Sequence, residues 1–336
     1  MKKYKIGIIG AGLQASRRIP AILDDQQSEI MGITAKSDIR LQTLANKYSI
    51  RVYDKWQEML NNPEINIIIV TTYPDSHAKM TLESFKKGKH VLCEKPLAKT
   101  SEEVVQMIQT ARKYKKILKC GFNHRFHPAL WEAKKIIDTR QLGSLLFGRG
   151  IYGYCGRPGF EKEWRANKKY VSGGILMEQG IHLVDLFRWY FGNFSQVQSI
   201  CETSYWPIQP LEDNAFVFLK TETGQTISIH TTNLQWRNTF HLEIYGTLGY
   251  LKIEGLGASY GTEKLTVAKK DYRGPFKESV TEYRGGDSSW KSEWLEFTEA
   301  IKNRRQPIGN GEDGLAAIQI VEKAYLANKK QTIVSI

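Results

Sequence analysis

The sequence predicts an α/β fold in two parts, a doubly wound parallel sheet followed by an α/β part with a mainly antiparallel open sheet. Three observations predict it. Up to Phe122, short β-rich apolar runs alternate with amphipathic stretches, the pattern of βαβ units whose parallel sheet is covered on both faces. Beyond that point period-two alternation and tight turns take over. The length of 336 residues exceeds the ~150 usual for one domain and suits two.

In the first part strands are expected at 4–9, 29–34, 65–72, 89–93 and 117–122, with helices at 14–24, 37–48, 76–87 and 101–115 between them. A further helix is expected at 128–140. The alternating runs 214–220, 226–234 and 240–245 read as antiparallel strands, with turns such as Thr223-Gly224 and Thr247-Leu248-Gly249 beside them. Helical patterns at 174–191, 290–303 and 313–328 interrupt or close that sheet. There is no internal repeat and no low-complexity linker, so the boundary is placed at the change of pattern, giving domains 1–122 and 123–336.

With 41% hydrophobic and 25% charged residues the composition excludes a mostly disordered, collagenous or coiled-coil chain. No apolar run reaches the ~18 residues of a spanning helix, and Met1-Lys2-Lys3-Tyr4 leads straight into a strand. A soluble cytoplasmic protein without a membrane partner is expected. Cys93, Cys120, Cys155 and Cys201 are far apart with no CxxC, so no metal site and no disulfide framework is expected. The formal charge of +13 raises nucleic acid or anionic ligands as partners. The clusters Lys86-Lys87-Gly88-Lys89, Arg112-Lys113-Tyr114-Lys115-Lys116, Lys168-Lys169 and Lys329-Lys330 sit at helix ends, where cations complement the dipole. They read as solvated faces; no nucleic-acid partner is expected, and a remainder of the cations is expected to face phosphate groups.

Gly10-Ala11-Gly12-Leu13-Gln14-Ala15 gives GxGxxA between the first strand and the first helix. Gly10 permits a tight turn, Gly12 lets backbone approach a pyrophosphate, and Ala15 allows close helix packing; Leu13 and Gln14 open the helix whose amides face the ligand. This predicts a dinucleotide-binding first domain. An acid at the end of the second strand would select NAD through the ribose 2′-hydroxyl. Here that place holds Ala35-Lys36-Ser37, with Arg40 one turn on, a set that suits a 2′-phosphate. NADP(H) is therefore expected over NAD(H), the alternative being a solvated Lys36 and loose cofactor choice.

Glu94-Lys95-Pro96 falls at the C-terminal end of a strand, where ligands sit in open α/β sheets, and the proline keeps Lys95 from continuing into a helix. Downstream, Gly173-Gly174 precedes a helical run that places Glu178 and His182 four apart, with Asp185 nearby. That pairing suits an acid/base group whose ring a carboxylate orients, and the glycines can bring the helix close to another surface.

Together these motifs resemble the Gfo/Idh/MocA oxidoreductase family, named for glucose–fructose oxidoreductase, inositol dehydrogenase and rhizopine catabolism proteins. The resemblance spans nearly the whole chain and rests on GIIGAGLQA, Val70-Thr71-Thr72-Tyr73-Pro74-Asp75-Ser76-His77, GKHVLCEKPLAKT, GFNHRFHP and GGILMEQGIHLVD. It implies an N-terminal Rossmann domain, a C-terminal substrate-binding and oligomerisation domain, and oxidation of a sugar or cyclitol secondary alcohol with nicotinamide. It makes Lys95 the holder of the reacting oxygen and His182 the proton carrier. It places Thr71, Thr72, Tyr73, Pro74, His77 and Glu94 beside the cofactor, Asn123 and Arg125 in an Asn-x-Arg segment near cofactor and substrate, and Trp164-Arg165 over either. Glu178 departs from the family's usual Asp, and a methylene moves a carboxylate by more than ~1 Å, which alters a catalytic geometry. Tyr73 before Pro74 is a second departure.

The stretch 152–169 carries Tyr152, Tyr154, Arg157, Glu161, Glu163, Trp164 and Arg165, aromatic planes with hydrogen-bonding charges that suit a sugar, or else a polar loop at a subunit contact. Gln179 joins Tyr152 and Arg157 among the expected substrate contacts. YGYCGRPGFEKEWRA is similar to members encoded with bacterial surface-polysaccharide enzymes, which implies an amino- or deoxy-sugar, free or nucleotide-activated. The alternatives on the same fold are an NAD-assisted glycosidase and a non-catalytic dinucleotide-binding regulator. The alternating runs at 228–231 and 242–245 offer a sheet face to another subunit, so a homodimer or homotetramer is expected.

Overall fold

The computed structural model describes residues 3–36, 38–274 and 277–336. The chain divides into two compact units, Met1–Asn123 with Trp290–Ala316, and His124–Ser289 with Ala317–Ile336. It therefore crosses between them after Asn123, after Ser289 and after Ala316.

The first unit contains β1 (Tyr4–Ile9), α1 (Leu13–Leu23), β2 (Ser28–Thr34), α2 (Asp38–Tyr48), α3 (Trp56–Asn61), β3 (Ile67–Val70), α4 (Pro74–Lys86), β4 (His90–Cys93), α5 (Ser101–Lys113) and β5 (Leu118–Cys120). The strands pair in parallel in the order β2-β1-β3-β4-β5. The order reverses direction between β1 and β3, the switch point where open α/β sheets bind ligands. Ile6, Ile8, Ile67 and Ile69 are fully buried because helices cover both faces, and each stabilises by roughly 1.5–3 kcal/mol. α5 starts with a capping box in which Thr100 and Glu103 satisfy each other's backbone amides. Trp294 and Phe297, from the segment that returns late in the chain, complete the core around Ile6 and Ile19.

The second unit contains α6 (Pro128–Asp138), β6 (Leu145–Cys155), α7 (Ile181–Phe191), β7 (Phe194–Glu202), β8 (Asn214–Thr221), β9 (Thr226–Thr232), β10 (Leu234–Gly246), β11 (Gly249–Glu254), β12 (Glu263–Lys269), β13 (Glu278–Tyr283) and β14 (Val334–Ser335). Helices α8 (Ser289–Lys302) and α9 (Gly311–Lys330) carry the two late crossings. The nine strands run β13-β12-β11-β10-β6-β9-β8-β7-β14, every pair antiparallel except β6 with β9. The fold class is thus the one the pattern predicts, with one parallel pair inside the second sheet.

Three local expectations are corrected. The helix expected at 174–191 begins with a π-helical turn, Leu176–Gly180, before α7. The run 240–245 is only part of the thirteen-residue β10, and the run 226–234 divides between β9 and β10 after Thr232. No helix among the described residues is long and apolar enough to cross a membrane. All four cysteines are free thiols.

Candidate active-site groups

In the first unit, Gly10 takes φ 114°, and a Cβ there would lie 2.6–2.7 Å from Thr71 Oγ1 and its backbone, so only glycine fits where β1 turns beside β3. Gly12 is the N-cap of α1, its backbone extended, and a Cβ on it would meet nothing within 4 Å. Packing therefore does not require glycine at 12; open space in front of the helix amides does, which is what a pyrophosphate needs. The first turn of α1 has no acid and no side-chain cap, and Gln14 Oε1 is buried without a hydrogen-bond partner among the described residues. Ala15 is fully buried and Leu13 is exposed. These residues fit the phosphates of a dinucleotide.

After β2, Ala35 is half-buried, and Lys36 and Arg40 are exposed with no ion pair among the described residues; Ser37 lies outside them. After β3, Thr71 is buried with its hydroxyl on Gly10 O, Thr72 Oγ1 accepts from Ser76 Oγ at 2.8 Å, and Tyr73, two-fifths exposed, caps α4, whose first residue is Pro74. His77 is buried with Nδ1 2.9 Å from Pro96 O and Nε2 3.1 Å from Thr72 O. Burial holds its pKa below the usual value, and the ring braces the turn after β3 against the turn after β4.

Lys95 is half-buried at the C-terminal end of β4, joined to Pro96 by a cis peptide. Its neighbour Glu94 is buried and accepts from Arg18 Nε at 2.6 Å, while Arg18 Nη1 reaches Glu293 at 2.7 Å. Lys119, fully buried, lies 3.4 Å from Glu296 and 3.9 Å from Glu293. Glu94 thus belongs to a buried ionic lattice that ties α1 and α8 to the strand end carrying Lys95. Asn123 is buried just beyond β5.

In the second unit, Arg125 grips Asp185 bidentately, Nε to Oδ2 at 2.8 Å and Nη2 to Oδ1 at 2.6 Å, both groups buried. Asp185 is one turn beyond His182 on α7, so this pair fixes the 124–126 segment beside the helix. His124 stacks on His182 with ring centroids 3.7 Å apart and 20° between planes, and its Nε2 lies 3.1 Å from Tyr152 Oη. Tyr152 is itself held through its carbonyl by Thr231 Oγ1. Glu178, on the π turn, accepts from Arg165 Nε at 3.0 Å; Arg165 also lies over the Trp164 ring, and Glu163 links Arg165 to the largely exposed Arg157. Burial, then the Glu178 charge, pushes the Tyr154 phenol upward, keeping it a neutral donor. Gln179 is half-buried on the same turn.

The π turn has an identifiable anchor. Glu212 accepts from Gly174 N at 2.9 Å, Leu176 N at 3.0 Å and Tyr325 Oη at 2.7 Å. A Cβ on Gly174 would lie 2.0 Å from Glu212 O, and one on Gly173 2.0 Å from Tyr325 Oη. The close surface that the glycine pair predicts is Glu212 and Tyr325. His124 and Glu212 are the groups sequence reasoning missed: the first stands inside the GFNHRFHP segment, whereas the second has no local signal.

Among the described residues no three His, Cys, Asp or Glu side chains gather to hold a metal ion. The family model described as "Oxidoreductase family, NAD-binding Rossmann fold" matches residues 4–122, and "GFO/IDH/MocA C-terminal domain" matches 130–252. Levoglucosan dehydrogenase of Pseudarthrobacter phenanthrenivorans is 31% identical over 171 residues, half of this chain and 44% of that one. Inositol 2-dehydrogenase 2 of Saccharopolyspora erythraea is 24% identical over 85% of this chain and 83% of its own. A solved levoglucosan dehydrogenase in complex with NADH superposes with a TM-score of 0.90 at 22% identity, covering 99% of both chains, a likeness of fold.

Proposed function

The chain belongs to the Gfo/Idh/MocA oxidoreductase family, and from that premise we propose that it is an NADP(H)-preferring dehydrogenase or ketoreductase of a sugar, sugar derivative or cyclitol. The observation that carries the reading is the open cradle at Gly12 in the same unit, and at the same C-terminal edge of the sheet, as Lys95. The relatives named levoglucosan dehydrogenase and inositol 2-dehydrogenase support a polyhydroxylated substrate.

Gly10, Gly12, Leu13 and Gln14 hold the pyrophosphate, Lys36 and Arg40 meet the 2′-phosphate, and residues 71–74 line the nicotinamide side. When bound, the nicotinamide gives or takes the hydride at the sugar carbon. The Lys95 ammonium stabilises the negative charge developing on the substrate oxygen, and His182 carries the proton. Tyr152, Arg157, Trp164, Arg165 and Gln179 are assigned to sugar hydroxyls. Arg125 and Asn123 bind in the same reading, with Arg125 also anchoring Asp185.

A panel of sugars and nucleotide sugars assayed with NADP and with NAD tests this. Turnover with a polyhydroxylated alcohol, preference for NADP, and loss of turnover in Lys95→Ala with NADPH affinity kept within about tenfold are expected. Full activity of Lys95→Ala would overturn the catalytic assignment, and a strong preference for NAD would overturn the cofactor assignment alone.

A further inference from the structure

A cavity of about 610 Å³ opens in the first unit at the opposite end of its sheet from Gly12 and Lys95. His90 and Leu118, the first residues of β4 and β5, mark that end. Its floor is apolar, built by Ile108, Ala111, Ile117 and Leu118. Its rim carries Arg112, Lys115, Lys116, Arg304 and Arg305 against a single lining acid, Glu312.

Helix-end compensation does not account for this charge. α5 and α8 both end here, and two half-charges of dipole offset about one cation. Glu312 engages Arg112 at 2.5 Å, and Glu296 engages Arg305 at 2.6 Å. Lys115, Lys116 and Arg304 have no ion-pair partner among the described residues, leaving about two positive charges uncompensated around one concavity.

We propose that this cavity is a second anion site, separate from the dinucleotide cradle, for a small molecule that carries two or more phosphate groups on an apolar or ring-shaped body. Lys116 and Arg304 clamp the phosphates from the α5 and α8 sides, and the body rests on Ile117 and Leu118. The volume suits such a ligand, because small-molecule sites span ~300–1,000 Å³.

Inorganic pyrophosphate is the probe, titrated calorimetrically into the full chain alone and with NADPH or NADH at saturation. One site that persists in the presence of either dinucleotide is expected, weakening in about 0.5 M salt and losing at least about tenfold in affinity in Lys116→Ala/Arg304→Ala. Arg304 is exposed and Lys116 half-buried, and an unchanged thermal midpoint shows that the variant is folded. Binding abolished by dinucleotide, equal affinity in the variant, or no heat up to about 10 mM pyrophosphate would each overturn the proposal. None of these outcomes depends on the dehydrogenase reading, which the Lys95→Ala assay addresses separately.

Discussion

At the scale of single residues, two carboxylates, the buried Asp185 and the half-buried Glu178, organise the second unit, and each makes a separable prediction. Asp185 neutralises Arg125 with two short hydrogen bonds in a dry setting. Asp185→Asn leaves the guanidinium buried without its counter-charge, so a stability loss of about 3–5 kcal/mol and a lowered thermal midpoint are expected. A midpoint within a degree or two of the parent would show that water or another acid already serves Arg125. Glu178→Asp draws the carboxyl back by more than ~1 Å from Arg165 Nε. A fall of about tenfold in kcat with KM little changed is expected if the pair positions a reacting group, and unchanged kcat would reduce it to packing. Asp185 was readable from the sequence as a neighbour of His182, because three residues along a helix is a local relation. Its partner was not, since Arg125 lies 60 positions away and only the folded chain brings it to α7. Distance in sequence likewise hid the stacking of His124 on His182 and the Glu212 anchor, whose bonds reach back 36 and 38 positions.

At the scale of elements, legibility follows how much of the cause is local. β1 reads directly because its apolar run from Ile6 to Ile9 is unbroken and buried on both faces. β6 does not, because Gly148, Gly150 and Gly153 interrupt its pattern. Those glycines answer the neighbours of the strand: a Cβ on Gly148 would lie 2.7 Å from Phe187, and one on Gly150 3.0 Å from it. The π turn is imposed from outside in the same way, by Glu212 bonding amides on both sides of Ile175. The pairing of β4 with β5 carries a pH prediction. His90 Nδ1 accepts the Ile117 N–H at 3.1 Å, which requires a neutral ring, and burial together with Lys116 pushes its pKa down to about 4. The unfolded chain takes up that proton near pH 6.5, so between pH ~6.5 and ~4 the unfolded state binds the extra proton. Stability is therefore fully present above pH ~6.5 and falls as the pH drops through that window, by about 2 kcal/mol after allowance for solvent. His90→Asn should flatten this part of the stability profile in denaturant titrations between pH 7 and 4.5, and an identical slope would assign the loss to other groups.

At the scale of the whole molecule, the return of 290–316 to the first unit lay beyond sequence reasoning. Trp290, Trp294 and Phe297 announce burial, but nothing in their spacing says which core receives them. The charge surplus likewise resolves only in three dimensions, into cations at surface helix ends and the rim of one cavity, whereas the buried Arg18 and Lys119 are matched by glutamates. The outer face of the nine-stranded sheet leads to the last prediction. β8 alternates strictly, Ala215, Val217 and Leu219 inward and Phe216 and Phe218 outward, the latter two 40% and 49% exposed. Beside them Phe216 stacks on His230, Phe147 stacks on Tyr245, and Ile200 is more than half exposed. Arg149 and Glu243 pair on the same face. Aromatic residues with arginine are what the centre of a protein interface favours, and a flat sheet face can supply the ~800 Å² per partner that a stable association buries. A second copy of this chain, meeting it face to face across a two-fold axis, is the partner expected to cover the patch. Phe216→Glu/Phe218→Glu puts two like charges at that contact on each protomer while leaving the inner face of β8 untouched. Light scattering should then give a dimer or tetramer for the parent chain and a monomer for the variant, with unchanged circular dichroism. A monomeric parent at tens of micromolar, or a variant that keeps the parent's mass, would move the interface off this face.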